Sequence, residues 1–274
     1  MKIAILLRGI TYMENYTHGN SIYTIDFRDT YKSFINNIIE PYNKLGYIVD
    51  VFLLTYDNNY KDEIINIYKP VKYIFNDFGD TYNGRLPGDI GAKVLLKQWM
   101  DGINLIESYE LETNSQYDFY IITRPDLYFY ENINELKIDY NCVNFPFFHM
   151  NGHIFSSEDN WIGFPNNKKN NIKYCINLQD EINNTDTTHA IGRHLINIGE
   201  TVNYLYGEKG DGAHDYPFYK FGRHLFGNAK VFNIEDIPNI QINKIYRIKD
   251  NEDSNLYIRS NIYINNNSPL NFSR

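Results

Sequence analysis

The run KIAILLRG at residues 2–9 and the run YIVDVFLLT at residues 47–55 decide how this chain folds. Each is almost continuously apolar and stops at a glycine or a polar residue. Strict alternation would mark a strand with one wet face. A continuous run marks a strand buried on both faces, as in a parallel sheet covered by helices on either side. Between the two runs, Phe27, Tyr31, Phe34, Ile38 and Ile39 share one face of a helix predicted over residues 26–45. Gly46 stands where a left-handed cap would close it.

Working outward, residues 62–68 predict a short helix and 72–75 a third strand, so the first part reads β-α-β-α-β. Residues 9–25 read as a polar, aromatic loop, and 77–89 as a loop rich in Gly, Asp and Pro. A long helix over 92–112 turns Val94, Leu95, Trp99, Ile103 and Ile106 inward. The strand YDFYIIT at 117–123 follows and runs straight into Arg124-Pro125-Asp126. Proline cannot donate to a central ladder, so the strand ends there. The second half is less regular: strands at 142–148, 153–155 and 161–164, then a helix at 187–198 capped by Asp186 or Thr187. Residues 207–214 form a glycine- and charge-rich loop. The expected fold class is α/β, with a mostly parallel central sheet flanked by helices.

The composition narrows the function. A chain of 274 residues, 43% hydrophobic and 16% aromatic, has the material for one sizeable core. A net charge of −8 argues against a nucleic-acid partner, which needs clustered Lys and Arg. Cys142 and Cys175 form no C-x-x-C pair and read as buried, reduced thiols. The N-terminal apolar run is too brief for a signal-peptide core, and no stretch has the roughly 20 apolar residues of a transmembrane segment. A soluble, cytoplasmic protein is expected. G-x-S-x-G, H-E-x-x-H, G-x-x-x-x-G-K-[ST] and G-x-G-x-x-G are all absent.

In open α/β sheets ligands sit beyond the carboxyl ends of the strands. Three groups meet that condition: Arg8 and Gly9, then Thr55, Tyr56 and Asp57, then Arg124 and Asp126. Asp57-Asn58-Asn59 also makes a plain turn, and Arg124 with Asp126 can simply tie off a strand end.

The order ILLRG (5–9), VDVFLLTYD (49–57), YKP (68–70), a helix bearing Trp99, and YDFYIITRPDLYF (117–129) resembles a group of glycosyltransferase-like proteins of large DNA viruses and bacterial polysaccharide loci. The resemblance covers residues 2–165. That group is similar to the GT-A fold, a Rossmann-like sandwich that binds a nucleotide sugar. It implies one GT-A-like domain over 1–274, with a nucleotide-sugar-binding half (1–130), an acceptor half (131–250) and a polar tail (251–274). It also implies a nucleotide-sugar donor, a glycan or glycoconjugate acceptor and, for a viral chain, the host cytoplasm. In GT-A enzymes a D-x-D motif holds Mn²⁺ or Mg²⁺ against the donor diphosphate. Asp126 matches its later carboxylate, whereas Arg124 stands at the earlier one. Three readings follow: a weak metal site, an arginine that clamps phosphate in the metal's place, or a site that has lost its chemistry. Family placement further implies Asp159 or Glu158 as the base, with Asp186 as another candidate, Trp161 at the acceptor, and His214 as a late metal ligand beside Asp126. His149 and His153, at the end of a predicted strand, either face the same cleft, with His153 at the acceptor, or sit in a hairpin turn. A non-catalytic relative that kept the fold, or a carbohydrate-binding protein, is the rival.

Overall fold

Along the first strand, Lys2–Gly9, side chains alternate between two separate cores. Ile3, Ile5 and Leu7 enter one cluster, Ala4 and Leu6 the other, and all five are fully buried. Only a strand inside a helix-covered sheet has two dry faces. The computed structural model describes residues 1–18, 21–76, 88–151, 154–182, 188–209, 218–222 and 230–231.

In chain order the strands are β1 (Lys2–Gly9), β2 (Tyr12–His18), β3 (Ser21–Asp26), β4 (Ile48–Tyr56), β5 (Lys72–Asn76), β6 (Phe119–Thr123), β7 (Leu127–Phe129), β8 (Val143–Phe145), β9 (Phe148–Asn151), β10 (Ile154–Ser157), β11 (Trp161–Pro165), β12 (Val202–Tyr204), β13 (Glu208–Lys209), β14 (Tyr219–Phe221) and β15 (Lys230–Val231). The helices are α1 (Tyr31–Phe34), α2 (Glu40–Lys44), α3 (Lys61–Tyr68), α4 (Gly88–Thr113), α5 (Lys169–Ile182) and α6 (Ile191–Asn197). A π-helical stretch, Ile35–Ile39, joins α1 to α2 without a break in the rod.

The central sheet has seven strands in the order β12-β8-β11-β6-β1-β4-β5. Only β11 opposes its neighbours; the pairs β6-β1, β1-β4, β4-β5 and β12-β8 are parallel. Helices α4, α5 and α6 cover one face through Leu96, Trp99, Ile103, Ile172, Cys175, Ile191 and Leu195. Helices α1, α2 and α3, with the π-helical stretch between the first two, cover the other through Phe34, Ile38, Tyr42, Ile64 and Tyr68. The fold is therefore α/β with a mostly parallel sheet between helical layers. Cys142 and Cys175 are buried and unbridged. Among the described residues no helix is long and apolar enough to cross a membrane.

Gly46 does close α2, at φ +76°, with its amide 2.9 Å from the Asn43 carbonyl. Three sequence expectations change. Residues 9–25 hold the β2–β3 hairpin, hidden in the sequence because a register shift between Met13 and Tyr16 breaks its alternation. The stretch 142–148 is two strands, since β8 and β9 are separated by Pro146. Helix α5 was not foreseen: Ile172, Cys175, Ile176 and Gln179 are buried at helical spacing, but asparagines and charges around them mask the stripe.

Candidate active site

The chain leaves β1 toward β4 and β5, then crosses back to β6 on the opposite flank. The carboxyl ends of β1 and β6 thus border the switch crevice, where open α/β sheets bind ligands. Because β11 runs antiparallel to β6, with Trp161 opposite Thr123, the residues just before β11 reach the same edge.

Arg8 occupies this crevice on the α4 side of the sheet and is 1% exposed. Its Nη2 donates to the Asp159 carbonyl at 2.8 Å. Its guanidinium lies 5.3 Å from the Trp99 ring centre. Nε and Nη1 have no hydrogen-bond partner among the described residues, and the same holds for Trp99 Nε1 and Gln98 Oε1. Gln98 Nε2 donates to the Tyr56 hydroxyl at 2.7 Å. Burial pulls the Arg8 pKa down to about 10 against the opposing pull of Asp159, so the cation persists at neutral pH. A buried guanidinium with two idle nitrogens is costly unless an anion completes it.

Beyond β6, Arg124 and Asp126 form a closed pair. Nε meets Oδ1 and Nη2 meets Oδ2, each at 2.8 Å. The turn that carries them is clamped by elements distant in sequence. Thr30 donates its hydroxyl to the Pro125 carbonyl at 2.6 Å, and the Gly222 amide donates to the Asp126 carbonyl at 2.8 Å. The Phe221 ring lies 5.0 Å from the Arg124 guanidinium. Burial alone would lower the Arg124 pKa, but the Asp126 charge and its hydrogen bonds outweigh it and raise it. With both Asp126 oxygens taken by a cation, the described residues do not fit a divalent metal at this turn. Among them no group of three or more His, Cys, Asp or Glu side chains is placed to hold one. His214, His153 and Asp186 lie outside the described residues.

Asp159 is the hub of the site. It is 6% exposed, and its Oδ2 accepts from the buried Thr188 hydroxyl. Its Oδ1 lies 3.8 Å from His189 Nδ1. Burial would raise this carboxyl; His189, Arg8, Thr188 and Arg124 together overcome that and hold it below the ordinary carboxylate range. His189 Nδ1 also lies 3.0 Å from the Ser157 carbonyl.

The other expected residues divide. Tyr56 faces the Arg8 side through Gln98. Thr55 is 1% exposed and is absorbed in a chain of hydrogen bonds. Asn58 Nδ2 donates to Thr11 Oγ1 at 3.1 Å, Thr11 to Thr55 at 2.9 Å, and Thr55 to the Gly9 carbonyl at 2.7 Å. That chain fixes the turn after β1, where Gly9 adopts φ +107° and so needs to be glycine. Asp57 points to Lys61, 2.7 Å away on the surface. Glu158, also buried, accepts from the Asn160 amide at 3.1 Å and from its side chain, which shapes the turn before β11.

Trp161 requires a correction. It is fully buried, in the core on the face opposite Arg8, with its ring 5.8 Å from that of Phe218. No ring face is open to stack on an acceptor sugar, because the period of two along β11 turns this side chain away from the crevice. Sequence reasoning missed Gln98, Thr188, His189 and Phe221. Only Trp99, one residue from Gln98, carried a local signal.

No protein-family model matches the chain, and no curated protein matches its sequence. Among solved structures it is similar to a glycosyltransferase involved in the glycosylation of the major capsid of PBCV-1, at 12% identity and TM-score 0.40, over 74% of this chain and 80% of that one. It is also similar to a protein of Desulfovibrio desulfuricans G20 provisionally described as a nucleotide-diphospho-sugar transferase, at 11% identity and TM-score 0.35, over 77% and 81% of the two chains. Likenesses of this size carry no chemistry to this chain, and its α/β class rests on its own sheet order and helical layers.

Proposed function

We propose that this protein transfers a sugar from a nucleotide-sugar donor to a hydroxyl of a glycan or glycoconjugate acceptor. The observation that carries the reading is Arg8. It is a fully buried cation at the switch crevice, with Nε and Nη1 lacking partners among the described residues. Guanidinium nitrogens left without a protein partner can each donate to a diphosphate oxygen, and low local dielectric strengthens the contact. Arg124, whose pair with Asp126 borders the same crevice, supplies a second cation. Positive charge here stabilises the negative charge that develops on a leaving nucleoside diphosphate. The resemblance over residues 2–165 agrees with this use of the crevice.

The D-x-D expectation takes a specific form in this proposal. Arg8 and Arg124 act where GT-A enzymes place Mn²⁺ or Mg²⁺, and Asp126 orients Arg124 rather than ligating a metal. Thermal unfolding in a panel of nucleoside diphosphates and nucleotide sugars, with and without Mn²⁺ or Mg²⁺, tests it. Binding to the native state raises Tm by mass action. A shift that does not depend on metal supports the arginine clamp. A shift only with metal returns Asp126 to the role of ligand. The closed Arg124–Asp126 pair also favours a second reading, a binding protein that retains the fold without turnover; nucleotide binding with no sugar release from any donor would select it.

A further inference from the structure

The hydrogen bonds around Asp159 leave the proton acceptor elsewhere than the carboxylate itself. Asp159 is enclosed, and one of its oxygens is already committed to Thr188. His189 beside it is the more open group, with 42% of its side chain exposed. Its Nδ1 lies 3.0 Å from the Ser157 carbonyl, which can only accept. Nδ1 therefore carries the hydrogen, and the lone pair of the neutral ring resides on Nε2. Asp159 Oδ1, 3.8 Å from the same Nδ1, adds a negative charge on that side. Ser157 is itself held, its hydroxyl 2.9 Å from the Tyr204 hydroxyl. A nitrogen base oriented through its second nitrogen, with a buried carboxylate nearby, is the arrangement that general-base catalysis on a hydroxyl needs.

We propose that His189 Nε2 accepts the proton of the attacking hydroxyl, and that Asp159 is a positioning residue that fixes the His189 tautomer and offsets the imidazolium charge. This rests on the transferase reading of the same site. The hydroxyl proton passes to Nε2 as the oxygen's lone pair forms the bond to the anomeric carbon. The bond from that carbon to the donor's diphosphate oxygen breaks, and its electron pair leaves on the diphosphate. The resulting imidazolium faces the Asp159 carboxylate, which Arg8 and Arg124 approach in turn from the ends of β1 and β6.

The deciding experiment is ¹⁵N NMR of the full chain labelled at histidine, with the His189 signals identified by their loss in His189→Gln. A neutral His189 with its proton on Nδ1, whose titration midpoint falls in Asp159→Asn, is the expected result. A neutral ring protonated on Nε2 overturns the proposal, whatever becomes of the transferase reading. The kinetic arm uses UDP-, GDP- and dTDP-linked hexoses as donors, water as acceptor, and release of nucleoside diphosphate as signal. His189→Gly should lower release by about 100-fold or more while keeping the nucleotide-induced Tm shift, and added imidazole should restore release. Release within about threefold of the unaltered protein, or no rescue by imidazole, overturns it. If the unaltered chain binds no nucleoside diphosphate, the transferase reading falls and the base falls with it. If it binds one and the tautomer is wrong, only the present inference falls.

Discussion

Arg8→Met separates a residue kept for binding from one kept for stability. The arginine has two guanidinium nitrogens without partners among the described residues and one bond to the Asp159 carbonyl. An unsatisfied buried donor costs about 1–3 kcal/mol, so removing two relieves about 2–6 kcal/mol, while losing one charge-assisted hydrogen bond costs about 1.5–3 kcal/mol. Methionine keeps the apolar stem but gives up the guanidinium's place over the Trp99 ring. Asp159 keeps His189, Thr188 and Arg124 as partners. The net expectation runs from a loss of about 1 kcal/mol to a gain of about 4.5 kcal/mol, or a Tm between about 3 °C lower and about 14 °C higher at roughly 3 °C per kcal/mol. The same substitution should abolish the nucleotide-induced Tm shift. Urea unfolding and thermal shift, run side by side, measure both. A loss of more than about 2 kcal/mol would refute the reasoning, because it would mean the guanidinium is satisfied within the protein. Retained nucleotide binding would refute the clamp.

Other consequences follow from single contacts. Asp126→Ala strands Arg124, whose side chain is only 16% exposed. It should cost about 3–5 kcal/mol in urea unfolding, and adding Arg124→Met to the same chain should recover most of that. Gly192→Ala would place a Cβ 1.8 Å from Ser157 Oγ and 3.0 Å from the Tyr204 hydroxyl. A loss of about 1–3 kcal/mol is expected, read from the urea midpoint, with no change in the unfolding slope. At the amino-terminal end of the central strand β6, Glu110 accepts from Lys169 at 2.8 Å, Tyr120 at 2.5 Å and the Tyr117 amide at 3.0 Å. Burial would raise its pKa, but these partners outweigh burial and lower it. Its contribution is therefore complete above the unfolded carboxyl pKa of about 4.3 and lost as pH falls through the lower folded value. Glu110→Gln should flatten the acid limb of a Tm–pH curve relative to the unaltered protein.

Much of the fold was legible because its strongest signals are local. Both faces of β1 are dry, so the strand had to be an unbroken apolar run, and Gly46 had to follow the helix it caps. The misses arose where local signals conflict with tertiary demand. The β2–β3 hairpin is bulged, and α5 buries one stripe through a sequence crowded with asparagine. The crevice itself was half legible. The strand-end rule selected Arg8, Arg124 and Asp126, all of which border the switch point. It could not show that Arg124 closes on Asp126, nor that Thr30 and Gly222 hold that turn from either side.

The chain's sequence by itself determined which segments become buried parallel strands and which polar residues stand at their carboxyl ends, because burial period and turn chemistry are written within a few residues. Only the tertiary structure decided what those residues meet. Trp161 was expected at an acceptor site, but strand parity sends it to the opposite core. His189 carried no signal of its own; antiparallel β11 and the segment before α6 bring it to Asp159, 30 positions earlier. Hydrogen bonding and charge act over a few ångströms irrespective of sequence distance, so the partners that set a site's protonation and charge follow from the packing of the layers and not from any motif.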